Sequence, residues 1–223
     1  MEKFTQYRLE PDKGYLIVIE GMDGSGKSTI AKSLVNNLNL IGYNSIYVRN
    51  PGSTKVSEKI RNIVLNFDDL TDDERALLFT VAMSNTLREK VIPALKNNKI
   101  VIMDRYYHSL YIYQNFYKDT NRQLLFHTLY KSLTNLCKQD YFILAKASPE
   151  VCKSRVDERD KKDIFDSKDI EYFKNIHNIY YQDKYGIYTS LNKFVPSENK
   201  MIINTEDKIH SSISKILNFL KKS

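Results

Sequence analysis

The sequence predicts an α/β fold built around a parallel sheet. Short apolar runs rich in β-branched residues alternate with stretches of helical periodicity from one end to the other. Three of the seven glycines fall within six residues, directly after the first apolar run. No internal repeat, low-complexity segment or interdomain linker breaks the alternation, so 223 residues are expected to form one domain.

The first run, "YLIVIE" at 15–20, reads as a buried parallel strand. "KSTIAKSLVNNLNLIG" then sets Ile30, Leu34, Leu38 and Ile41 at helical spacing and stops at Gly42. "NSIYVR" (44–49) is a second strand, ended by the turn cluster "NPGST". The tract 71–98 opens with Thr71 as a cap and acids in the first turn, a helix start, and Pro93 is expected to kink it. "KIVIMD" (99–104) is a third strand, and 120–138 is helical by spacing. "YFILAKA" (141–147) is a fourth strand, followed by a helix with Ser148 as cap and Pro149 at its first position. "KMIINT" (200–205) is a fifth strand, and an amphipathic helix closes the chain. Residues 1–13 are read as an N-terminal tail, disordered or packed on the sheet edge, and 14–223 as the domain.

No stretch of about 18 apolar residues is present, and the polar N-terminus lacks a signal-peptide core, so neither a membrane span nor secretion is expected. Cys137 and Cys152 give neither a disulfide framework nor metal-ligand spacing, which fits a reducing cytoplasm. The net charge of +7 is spread out, with no basic run longer than two and no nucleic-acid-binding motif. It reads as a solvated lysine-rich surface that also suits small anionic substrates, and no nucleic-acid partner is expected.

The glycine cluster, "GMDGSGKS" at 21–28, fits G-x-x-x-x-G-K-[ST] between a strand and a helix. Without Cβ atoms the backbone of Gly21, Gly24, Ser25 and Gly26 can wrap an anion, and the helix opening at Lys27, Ser28 and Thr29 adds positive potential. Lys27 supplies a point charge to the β/γ-phosphates, and Ser28 offers a hydroxyl to Mg²⁺. The cluster is thus a nucleoside triphosphate site. A GTP switch is not expected, because "NKFV" (192–195) lacks the Asp of a guanine reader. A second stretch, "IVIMDRYYHSLYIYQ" (100–114), ends a buried strand with Asp104 at the carboxyl edge where α/β ligands bind. Asp104 there can orient Mg²⁺, and Arg105 can fork onto a phosphate; an Asp–Arg ion pair at a strand end is the bland alternative.

In order along the chain, "IEGMDGSGKST", "RNPGST", "LLF" (77–79), "DRYYHSLYIYQ" and "SRVDERDKKDIFD" resemble the motifs of thymidylate (dTMP) kinases, a branch of the P-loop nucleoside monophosphate kinases. The resemblance covers most of the chain. It implies that family's fold, a five-stranded parallel sheet flanked by helices with a short lid at about 157–168, and a homodimer. It implies phosphoryl transfer from ATP to dTMP with Mg²⁺. Carried over residue by residue, Lys27, Ser28 and their P-loop neighbours would bind ATP phosphates, and Ser28 and Asp104 would serve the metal. Asp23 would face the acceptor sugar and phosphate, Arg105 would hold the acceptor phosphate, and Arg49 would belong to the acceptor loop. Phe79 would stack on the base, Ser109, Tyr113 and Gln114 would line the nucleoside pocket, and Tyr113 would exclude a ribose 2′-hydroxyl. Arg155 would lie against adenine, and Arg159 would be the lid cation reaching the transferred phosphoryl. Some members carry a basic residue inside the P-loop, at the position of Gly24; this chain has basic residues in the lid instead, at Arg159, Lys161 and Lys162.

The chain departs from the family in two places. The arginine that usually follows "LLF" and reads thymine falls on Met83 or Ser84, with Asn85 or Arg88 as potential substitutes, so relaxed base specificity, admitting dUMP or dGMP, is expected. Asn50 replaces the usual acidic or aromatic residue of the "RNPGST" loop. Three rival readings are disfavoured. A deoxynucleoside kinase needs a carboxylate after the second strand, and no acid occurs before Glu58. A DNA-stimulated ATPase would not need the acceptor-type stretch, and a silent binding protein would not need Lys27, Asp104 and Arg105 together.

Overall fold

The structure is a computed structural model, and it describes residues 7–160, 167–182 and 190–221. Five parallel strands form its centre: β1 (Tyr15–Glu20), β2 (Ser45–Arg49), β3 (Ile100–Asp104), β4 (Tyr141–Lys146) and β5 (Lys200–Asn204). Their order across the sheet is β2-β3-β1-β4-β5. Helices α1 (Lys27–Leu40), α2 (Lys55–Asn66), α3 (Asp72–Thr86), α4 (Ile92–Lys96), α5 (Tyr107–Tyr113), α6 (Thr120–Leu136), α7 (Pro149–Asp157), α8 (Ile170–Tyr181) and α9 (Ile209–Phe219) surround it.

Alternation along the central strands gives the sheet two apolar faces. Leu16, Val18, Val101, Met103, Phe142 and Leu144 face one core, with residues of α3, α5, α6 and α8. Ile17, Ile19, Ile100, Ile102, Ile143 and Ala145 face the other, against α1 and α9. Burial on both faces explains why these strands read as continuous apolar runs. The register pairs Ile19 and Arg49 with Asp104 and Glu20 with Leu144, so all polar strand ends emerge along one edge.

Residues 7–13 pack against the fold. Leu9 is buried in the second core, Tyr7 bridges Lys221, and Arg8 donates to the carbonyls of Glu198 and Phe219. The long helix expected at 71–98 is a composite. A π-helical turn at Leu87–Val91 separates α3 from α4, and the Ile92 N–H donates to the Leu87 carbonyl five residues back. The wider turn precedes Pro93, which has no N–H to donate and whose ring would crowd a normal turn. Helices α2, α5 and α8 lie in stretches where periodicity alone gave no assignment.

Candidate active site

The site begins where β1 runs out. Gly21, Gly24 and Gly26 all adopt positive φ, at 152°, 78° and 78°. A Cβ on Gly21 would meet the Ala145 carbonyl oxygen at 2.4 Å, and one on Gly24 would meet the Cys152 carbonyl oxygen at 2.1 Å. The second contact leaves no room for a side chain at Gly24: α7 lies so close that one there would push it away. Gly26 is the N-cap of α1 and supplies no side-chain cap, which leaves the first-turn N–H groups available to a phosphate. Thr205, just beyond β5, supports the loop by donating its hydroxyl to the Ser25 carbonyl at 2.6 Å. Arg155 donates to the carbonyls of Gly24 and Thr205, and so lies across the loop from α7.

Lys27 is buried, with Nζ 3.2 Å from the Met22 carbonyl and 3.7 Å from Asp23 Oδ1. Burial and the neighbouring Arg105 charge lower its pKa, while Asp23, Asp104 and Glu20 oppose that shift. On β3, Asp104 Oδ2 accepts from Ser28 Oγ and, at 2.9 Å, from the Tyr47 hydroxyl. The other oxygen, Asp104 Oδ1, is buried with no protein partner among the described residues. A hydroxyl and a carboxylate with an orphaned oxygen are the hard ligands Mg²⁺ takes, so Ser28 and Asp104 fit that ion.

The acceptor side is organised by a side chain that the sequence reading passed over. Glu20, the last residue of β1, is fully buried. It accepts from the Tyr106 N–H at 2.6 Å, the Ser109 N–H at 3.2 Å and the Ser109 hydroxyl at 2.8 Å, and lies 3.7 Å from His108 Nδ1. Burial opposes its ionisation, yet His108, Arg105 and these donors hold its carboxyl below the usual range. Ser109 Oγ in turn accepts from Arg105 Nη1 at 2.7 Å. The other branch of Arg105 pairs with Asp23, and the guanidinium lies over the Tyr113 ring at 5.1 Å. Burial works against the Asp23 charge, but Arg105, Lys27 and Arg159 outweigh it and keep the carboxyl well below its ordinary range. Tyr113 also accepts from the Asp23 N–H at 3.0 Å.

These groups open onto a cavity of about 600 Å³, its mouth included, lined by Asp23, Asn50, Pro51, Arg61, Leu65, Phe79, Met83, Arg105, Tyr106, Ser109, Leu110, Tyr113 and Gln114. Six of the seven expected acceptor residues are on that wall. Arg49 is not: both oxygens of Glu58 take its guanidinium, at 2.7 and 3.0 Å. Gln114 is buried, and neither end of its amide has a protein partner among the described residues. Asn50 Oδ1 is likewise buried and unpartnered. Met83, not Ser84, lines the cavity. Asn85 cannot stand in for the missing arginine, since Thr54 and Glu89 take its amide at 2.6 and 2.7 Å. Arg88 cannot either, being exposed beside Glu89. Arg159 follows α7 and is exposed, whereas Lys161 and Lys162, with the lid residues 161–166, lie outside the described residues.

The thymidylate kinase family model matches residues 19–210, from the end of β1 into α9. The chain belongs to the thymidylate kinase family. It is thus an enzyme, a phosphotransferase acting on dTMP, and the α/β fold expected from the sequence is that family's fold. The chain is 36% identical over 172 residues to a thymidylate kinase of Mycoplasmoides gallisepticum, a match covering 75% of this chain and 80% of that protein. To a thymidylate kinase of Legionella pneumophila it is 34% identical over 175 residues, again 75% and 80% of the two chains. A thymidylate kinase of Clostridium novyi is 28% identical over 214 residues, which is 94% of this chain and all of that one. Among the described residues of this thymidylate kinase, no helix is long and apolar enough to cross a membrane.

Proposed function

We propose that this thymidylate kinase binds ATP over Gly21–Thr29 and Arg155 and seats dTMP in the cavity beside it, with Arg105 on the acceptor phosphate. One observation carries the reading: a largely buried arginine fixed at both branches and a buried Gln114 amide, unpartnered among the described residues, share a single cavity next to the glycine-rich loop. The arginine suits a phosphate and the amide suits a base edge.

The γ-phosphorus–oxygen bond of ATP breaks, a bond to a dTMP phosphate oxygen forms, and ADP departs with the bridging electron pair. The acceptor is a phosphate monoester whose second pKa is about 6, so it arrives largely as the dianion and needs no base. That agrees with the neutral Asn50 after β2, and with Glu58 being engaged by Arg49. Lys27, Arg105 and the lid cation Arg159 stabilise charge on the transferring group, and closure of the lid excludes water as a competing acceptor. In support of that role, the Arg159 charge is among those that favour the ionised form of Asp23, after Arg105 and Lys27. Ser28 and Asp104 would hold Mg²⁺, which would supply charge neutralisation at the triphosphate. Phe79 stacks on the base, Tyr113 crowds a ribose 2′-hydroxyl, and Met83 in place of an arginine relaxes base specificity. The enzyme works as a homodimer in the reducing cytoplasm, consistent with its two free thiols.

The test is ADP release from ATP and Mg²⁺ with dTMP, thymidine or single-stranded DNA supplied separately. Stimulation by dTMP is expected; stimulation by thymidine or DNA in its place would refute the reading.

A further inference from the structure

The cavity wall offers the amide of Gln114, which nothing among the described residues orients. The Gln114 backbone is fixed on both sides: its N–H donates to the Leu110 carbonyl at 3.2 Å, and its carbonyl accepts from Arg122 at 2.8 Å. Its side chain is buried, lines the cavity, and has neither Oε1 nor Nε2 paired among the described residues. Across the same cavity Met83 presents a thioether where a cationic donor would select a carbonyl. Arg61, the other cation on the wall besides Arg105, donates to the Pro51 carbonyl at 3.4 Å.

A free amide has a carbonyl at one end and an NH₂ at the other, and a rotation of half a turn exchanges them. In one orientation it matches a 4-oxopyrimidine, accepting from N3–H and donating to O4. In the other it matches a 4-aminopyrimidine, donating to N3 and accepting from the exocyclic amine. A site discriminates strongly between such bases only when a second polar group with fixed direction would be left unpaired by the wrong one. Met83 is not such a group.

We propose that this enzyme phosphorylates a 4-aminopyrimidine deoxynucleotide, dCMP, as a second acceptor, with the Gln114 amide inverted. The inference rests on the dTMP reading of the same pocket. The transfer is the same reaction: the γ-phosphoryl passes from ATP to a phosphate oxygen of dCMP, giving dCDP and ADP, and no further reactant is needed.

The experiment measures kcat/KM of the full chain for dTMP and dCMP under identical ATP and Mg²⁺, and repeats both with Met83→Arg. The wild-type ratio of dTMP to dCMP is expected to fall below about 10³, since a site with a dedicated polar reader reaches about 10⁴–10⁵. Met83→Arg should raise that ratio by at least about tenfold, because a fixed donor favours O4 and leaves the 4-amino group facing a cation. A wild-type ratio above about 10³ with dTMP active overturns the inference and leaves the kinase reading standing. A ratio unmoved in a folded Met83→Arg enzyme also overturns it, by showing that Met83 does not set the choice. Failure of both nucleotides would instead refute the proposed acceptor site itself.

Discussion

Arg105 is the residue on which most contacts of the proposed acceptor site converge. It is held between Ser109 and Asp23, over Tyr113, with Glu20 behind Ser109. Arg105→Ala is expected to lower kcat/KM for dTMP by about 10²–10³-fold, as loss of one preorganised charge contact does, with ATP affinity little changed. Arg159→Ala should keep ATP affinity within about a few-fold while kcat drops by about 10³–10⁵-fold, the range seen for a cation that acts on the transition state; unchanged kcat in a single-turnover assay would refute its role. At Gly24 the geometry forecasts a contrast. Gly24→Ala would set a methyl 2.1 Å from the Cys152 carbonyl, whereas the same change at Gly26 meets nothing closer than 3.4 Å. Gly24→Ala should cost about 1–3 kcal/mol more than Gly26→Ala by urea denaturation, since only the first must displace α7.

The elements owe their positions to end chemistry as much as to periodicity. Helix α3 starts with a complete capping box: Thr71 accepts from the Glu74 N–H at 3.2 Å, and Glu74 accepts from the Thr71 N–H at 2.8 Å. Thr71→Ala should lower stability by about 1 kcal/mol with kinetics unchanged, read from the urea midpoint. Two carboxylates, at the end of β1 and just past it, give the fold its acid sensitivity. Asp23, just past β1, and Glu20 both have folded pKa values below their unfolded ones, about 3.9 and 4.3. Each therefore stabilises the fold fully above those values, and the contribution is lost as pH falls through them toward the folded pKa. Wild-type stability should decline from about pH 5 downward, and Asp23→Asn should flatten that decline; an unaltered acid limb would refute the linkage.

At the scale of the molecule, the described residues leave an apolar surface on two neighbouring helices. On α2 and its end, Val56, Ile63 and Phe67 are 45%, 40% and 59% exposed, and on the adjacent α3 Leu77 and Val81 are 49% and 54% exposed. Spacings of seven and four align each set on one helix face. The sequence named no face for the proposed homodimer; this surface predicts one, and Leu77→Glu with Val81→Glu should convert a dimer to monomers by sedimentation at micromolar concentration. A wild-type monomer would refute the pairing. The net charge of +7 suits the attraction of polyanionic substrates.

All five strands and the glycine-rich loop could be read from the chain alone, because each is encoded locally, whereas most of the proposed acceptor wall was reached only through the resemblance to the family. Burial on both sheet faces writes uninterrupted apolar runs, and an anion cradle writes glycines at set intervals before a helix. The signal for Glu20 was present too, as one carboxylate at the end of an otherwise apolar strand, but its meaning depended on partners 86 to 89 residues away. Arg49 stood beside acceptor motifs and yet turns to Glu58. Whether Met83 or Ser84 occupies the place of the missing arginine, and that Asn85 is already engaged, depends on helix rotation and on contacts from other elements. Local patterns determine which backbone forms where, since they act over a few residues. Which side chains stay free to meet a ligand is decided by competition among partners far apart in sequence, and only the packed tertiary structure settles it.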